Sequence, residues 1–119
     1  MAEPNSIPTP QSLESEQNLL GAMLLERDAI VQAASMVQVS DFYRENHRLI
    51  FQAIIELHGR GEPVHVVTVS EELRRIGNLD AAGGIPYVGV LIEACPTPAG
   101  APAYARRVRE FSVLRRMMS

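Results

Sequence analysis

The stretch Arg44–His58 sets the tightest limit on what this chain can fold into. Ile50, Phe51, Ile54, Ile55 and Leu57 recur there at the spacing of one helical face, and "GRGEP" then ends the run with two glycines and a proline. That period does not suit a sheet, where successive side chains point to opposite faces. Such a helix needs other elements to offer it an apolar face.

The same period recurs on both sides of it. In "SLESEQNLLGAMLLE", Leu13, Leu20 and Leu24 share a stripe with Gln17, with Leu19 and Met23 beside it. Ser12 is placed to cap this helix, Glu14 and Glu16 sit where the helix dipole favours acids, and the helix is predicted to run to about Glu26. Asp28 is the predicted cap of a short helix in "AIVQAASMV", and Ser40 that of the helix from Arg44 to His58. "PVHVVTV" is β-branched, but Thr68 and Glu71 have capping-box spacing. That predicts a helix in "VSEELRRIG" after an extended linker, ended by Gly77. A further helix is predicted from about Gly84 to Ala94, closed by Pro96, with Gly83 free to take a positive φ in the turn before it. Pro102 suits the first turn of a last helix, "PAYARRVREFSVLRRMM", for which Gly100 or Ala101 is a poor cap. The predicted fold class is all-α, a compact orthogonal bundle of about six helices without internal repeat. Residues 1–11, with three prolines, are expected to be a flexible arm, and residues 12–100 the globular helical head.

Composition narrows the chemistry. All eleven basic residues are arginine, which removes a P-loop lysine and a Schiff-base lysine. The single cysteine, Cys95, cannot form an internal disulfide or a CxxC site, and is expected to be a small buried side chain. The net charge of −3 is unevenly spread: residues 1–100 carry six arginines against thirteen acids, and residues 101–119 five arginines against one acid. The last helix is therefore the candidate basic surface on an acidic body, which argues against broad phosphate-backbone binding. No run of about 18 apolar residues is present and the N-terminus lacks the pattern of a signal peptide, so a cytoplasmic location without a membrane partner is expected.

Candidate active-site patterns fail on spacing. His47 and His58 share a helical face but stand about 16 Å apart along it, too far to share a metal. His65 lies outside that helix. Asp41, Glu45 and Arg48 are spaced for local contacts with Arg44 and one another, and neighbouring arginines would keep both acids ionised. "AAGGIP" lacks a phosphate-cradle pattern, and no serine sits in GxSxG. The residues thus point to no catalytic, cofactor or metal site.

The last helix differs. Tyr104, Val108, Phe111, Leu114 and Met118 form a heptad-like seam flanked by Arg106, Arg107, Arg109, Arg115 and Arg116. The seam runs in mid-helix to Ser119, so its part from Phe111 onward is expected either to pack on the domain or to meet a partner. A nucleic-acid-binding module working through these arginines is the alternative reading, though no aromatic cluster is interleaved with them for base stacking.

Three ordered stretches, "PQSLESEQNLLGAMLLE", "VSDFYRENHRLIFQAIIELHGRGEPV" with "VTVSEEL", and "GGIPYVGVLIEACPTPAGAPAYARRVREFSVLRRM", resemble the N-terminal domain of the bacterial replicative DNA helicases, the DnaB-type family. The resemblance covers nearly everything from Pro10 to Met118. It implies a non-catalytic collar domain of a hexameric ring that mediates subunit assembly as dimer or hexamer and docks primase, with a helicase loader as a further partner. On this reading residues 101–119 begin an interface helical hairpin. ATP, magnesium and DNA contacts would belong to a C-terminal ATPase domain outside this chain, so no cofactor is expected here. The resemblance also marks Asp41, Phe42, Tyr43, His47, Ile50, Phe51, Gly83, Gly84 and Tyr87 as fold-determining, and Tyr104, Arg107, Val108, Phe111, Leu114, Arg115 and Met118 as interface. Two departures stand out: the family usually has aspartate where this chain has His65 and asparagine where it has Gly100, which would weaken a cap and loosen the start of the last helix.

Overall fold

The computed structural model describes residues 8–118, and among these there is no strand. Residues 1–7 of the expected arm lie outside the described residues; Pro8–Gln11 carry no regular structure. Helices α1 (Leu13–Leu25), α2 (Arg27–Met36), α3 (Glu45–Gly59), α4 (Val66–Arg75), α5 (Leu79–Ala82), α6 (Gly84–Ala94) and α7 (Ala101–Met118) follow in order, with 3-10 turns at Val39–Asp41 and Pro98–Gly100. Six of these exceed a single turn, in agreement with the expected all-α bundle. None is long and apolar enough to cross a membrane.

α1 is the hub. It packs on α2, α3, α6 and α7, and Leu19, Leu20, Ala22 and Met23 are buried to 1% exposure or less. A helix surrounded on several sides has to be apolar well beyond one stripe, as the run from Leu19 to Leu24 is. α3 contributes Ile50, Phe51, Ile54 and Leu57 to the same core, where the Phe51 ring lies 4.9 Å from that of Phe42. At the α5–α6 turn Gly83 and Gly84 have φ of 108° and 78°, a left-handed backbone that side chains with a Cβ resist.

Ser12 caps α1 as expected, its hydroxyl accepting from the Ser15 amide at 3.1 Å. The other caps differ from the sequence reading. Asp28 makes no cap: Glu26 alone joins α1 to α2 in an extended conformation, so the chain reversal sets where α2 begins, and Asp28 falls inside its first turn. Ser40 lies in the 3-10 turn, and α3 starts at Glu45 without a side-chain cap from its own neighbourhood. α4 begins at Val66, two residues before Thr68, because His65 caps it: its Nδ1 accepts from the Thr68 amide while the Thr68 hydroxyl accepts from the His65 amide. "PVHVVTV" is therefore mostly helix, and the imidazole supplies the acceptor that an aspartate would have offered. Cys95 is half-buried against the core, and burial pushes its thiol pKa up.

One ion cluster ties the end of α3 to α4. Glu72, 6% exposed, accepts from Arg75 Nη2 at 2.7 Å and from Arg60 Nη2 at 2.9 Å. These hydrogen bonds, that from Arg75 foremost, lower its pKa from 4.5 to about 2 against the opposing effect of burial. The folded value lies below the unfolded one, so the stabilisation is complete above pH 4.5 and is lost as pH falls through 2. Glu72→Gln is expected to cost on the order of 1 kcal/mol at neutral pH, since both arginines reach into water. Acid titration followed by circular dichroism should then show a shallower loss of stability for this variant than for the wild type between pH 4.5 and pH 2.

Candidate interaction surface on the last helix

Two buried carboxylates determine how the helices meet. Glu16, assigned from the sequence only to the helix dipole, is 2% exposed and turned inward. It accepts from the Tyr43 amide at 2.8 Å, the Arg44 amide at 3.4 Å and His47 Nδ1 at 2.7 Å. The amides at the start of α3 are thus satisfied by a side chain from α1. With Nδ1 donating to the carboxylate, His47 Nε2 accepts from the Tyr87 hydroxyl at 2.6 Å, which in turn accepts from Gln17 Nε2 at 3.2 Å. The chain of bonds joins α1, α3 and α6. His47 is 0% exposed, inside the core rather than at its edge, and no substrate can reach its ring.

Asp41 is the second. It is 1% exposed; one oxygen accepts from the Gln38 amide and the other from the Ser112 hydroxyl of α7, each at 2.7 Å. Arg109 Nη1 and Arg116 Nη2 stand 3.7 and 3.9 Å from it. Arg115 Nη2 donates to the Asp41 carbonyl at 2.7 Å and its Nη1 to the Pro10 carbonyl at 2.8 Å, with its guanidinium over the Tyr43 ring. The expected local pairing around Arg44 and Arg48 reduces to one long contact, Arg48–Glu45 at 3.8 Å, while Arg48 Nε donates to the Phe42 carbonyl at 2.7 Å. The polar start of the Asp41–Ile54 stretch is thus the dock for α7. Tyr43, at 42% exposure, lies on the surface rather than in the core.

The buried face of α7 is Ala101, Ala105, Val108 and Ser112, a stripe of mostly small residues that lets the helix approach α1 and α2 closely. The seam seen in the sequence is not uniformly buried: it passes from packed to outward-facing along the helix. Val108 is within the core, and Tyr104 packs against it with its hydroxyl bonded to the Thr97 carbonyl at 3.1 Å. A Cβ at Gly100 would meet the Tyr104 ring, so the glycine makes room for this contact. Arg107 lies over the half-buried Phe111 ring. Beyond Ser112 the apolar side chains turn outward: Leu114 is 45%, Met117 76% and Met118 51% exposed, with Val113 beside them. Val113 and Met117 were not part of the sequence seam, because a heptad template skips them. Among the described residues no group of three or more His, Cys, Asp or Glu could hold a metal ion.

A family model described as DnaB-like helicase N-terminal domain matches residues 8–110. The chain is 47% identical over 109 residues to the replicative DNA helicase DnaB of Mycobacterium leprae, covering 92% of this chain and 18% of that protein. Against the DnaB of Geobacillus stearothermophilus the identity is 46%, with 24% of that protein covered. The chain therefore spans less than a quarter of the length of these relatives. The crystal structure of the N-terminal domain of DnaB helicase from Mycobacterium tuberculosis superposes with a TM-score of 0.92 at 46% identity, covering 93% of this chain and 80% of that one. The corresponding domain from Helicobacter pylori, described together with its interactions with primase, shares the fold with a TM-score of 0.72 at 20% identity.

Proposed function

This chain belongs to the DnaB-like helicase N-terminal domain family, and from that premise we propose that it is an assembly and docking module of a replicative helicase. The segment matched is the N-terminal domain, and the ATPase of such helicases is no part of it. ATP, magnesium and the DNA track belong to the remainder of the whole protein, which works in the cytoplasm. Within a hexameric collar, the exposed end of α7 pairs with a neighbouring subunit and contributes the surface on which primase, or a loader, docks.

The observation that carries this reading is the outward apolar face of α7, with Leu114, Met117 and Met118 at 45%, 76% and 51% exposure. Asp41, Ser112 and Arg115 hold that helix in one orientation, so little freedom is lost when a partner covers it. Interface truncations in such patches cost roughly 1–2 kcal/mol each. Leu114→Asp and Met117→Asp alter exposed side chains, so the fold is expected to survive. Both self-association across a concentration series and binding of the cognate primase C-terminal domain are expected to weaken at least about tenfold in the double variant. If neither changes, the docking role of this face is wrong.

The arginine-mediated nucleic-acid reading has less support. Arg115 is held by two backbone carbonyls, Arg109 and Arg116 lie toward Asp41, and Arg107 covers Phe111. They do not line up as one open basic stripe.

A further inference from the structure

On the other side of α7 from its apolar face lies an open recess of about 360 Å³ lined by Ser40, Arg48, Ser112, Arg115 and Arg116. The helical period of 3.6 residues puts Ser112, Arg115 and Arg116 on one side of α7 and Val113, Leu114, Met117 and Met118 on the other. We infer that this recess receives a carboxylate-bearing segment of a protein partner, independently of what covers the apolar face.

Three observations carry it. The first is how the guanidiniums are held. Arg48 is fixed by the Phe42 carbonyl at 2.7 Å, and Arg115 by the carbonyls of Pro10 and Asp41 at 2.8 and 2.7 Å. Carbonyls position a guanidinium without neutralising it, so the charge is already in place before a ligand arrives.

The second is the local charge. Among the described residues that line the recess, three are arginines and none is an acid; Glu45, 3.8 Å from Arg48, is 74% exposed. The third is Ser40, an exposed hydroxyl at the rim that can donate to an oxygen anion.

A carboxylate segment fits better than a polynucleotide. Residues 1–100 hold thirteen acids against six arginines, so a long polyanion meets repulsion on leaving the recess, whereas one or two carboxylates end inside it.

The test is an NMR titration of the isotopically labelled chain with a short glutamate-rich peptide, the same peptide with glutamine in place of glutamate, and an oligothymidylate of matched charge. The glutamate peptide is expected to shift the amides around Ser40, Arg48, Ser112 and Arg116, and to bind more weakly as salt rises. Arg48→Gln and Arg116→Gln should each weaken it roughly three- to fivefold, the size of one partly exposed ion pair. Arg116→Gln keeps the test decisive if loss of the Phe42 contact unfolds the Arg48 variant. Leu114→Ser, which adds no charge, leaves this binding unchanged, which separates it from the role of the apolar face. Equal binding of the glutamine peptide, tighter binding of the oligothymidylate at the same amides, or shifts confined to the apolar face would each overturn the inference. So would salt-sensitive self-association abolished by Arg116→Gln, which would make a second copy of the chain the occupant.

Discussion

Glu16→Ala is expected to lower the free energy of unfolding by about 3–5 kcal/mol, the usual cost of removing one partner from a buried charged network. The loss is that large because one carboxylate satisfies three donors, the amides of Tyr43 and Arg44 and Nδ1 of His47. Alanine leaves all three without this acceptor, one of them on a histidine that is 0% exposed. A domain of this size has roughly 5–15 kcal/mol in total, so the variant sits near its folding limit. Urea denaturation at neutral pH measures it. Glu16→Gln keeps one carbonyl acceptor for the Tyr43 amide and is expected to lose about half as much. An alanine variant as stable as the wild type would mean that the start of α3 is held by something other than α1.

Asp41→Ala should have the second-largest effect, and of a different kind. Its carboxylate accepts from Gln38 in the 3-10 turn and from Ser112 in α7, with Arg109 and Arg116 nearby. Removal costs about 2–4 kcal/mol by the same reasoning. The loss is concentrated where α7 leaves the core, because Val108 is the last large side chain it buries. Amide hydrogen exchange along α7 after Val108 is expected to speed up before that of α1 and α3 does. Asp41→Asn retains an acceptor for Ser112 and should fall between wild type and alanine. Uniformly faster exchange across all helices would show that Asp41 supports the whole bundle rather than the docking of α7.

These two carboxylates also show where the sequence stops being readable. The bodies of α1 and α3 follow from the recurrence of Leu, Ile and Phe at helical spacing, a local signal. The starts of α2, α3 and α4 do not, since Glu26 serves two helices at once, Glu16 reaches α3 from 27 residues away, and His65 is not a residue type that announces a cap. In α7 the difficulty is one of size. Large side chains suggest a seam at Tyr104, Phe111, Leu114 and Met118, whereas close approach between helices selects Ala101, Ala105 and Ser112. Reading the outward face required knowing the inward one first. The charge asymmetry of residues 101–119 was visible from the start, but the fact that backbone carbonyls of Pro10, Asp41 and Phe42 fix two of the arginines in the recess beside α7 has no counterpart in composition.

The bond from Arg115 to the Pro10 carbonyl has a topological consequence. It makes the beginning and the end of the described chain spatial neighbours, although they are far apart in sequence. A circularly permuted gene that bridges these ends and opens the exposed turn at Gly61 would thread the same helices through the same core. In such a permuted domain the outward face of α7 would stay where it is.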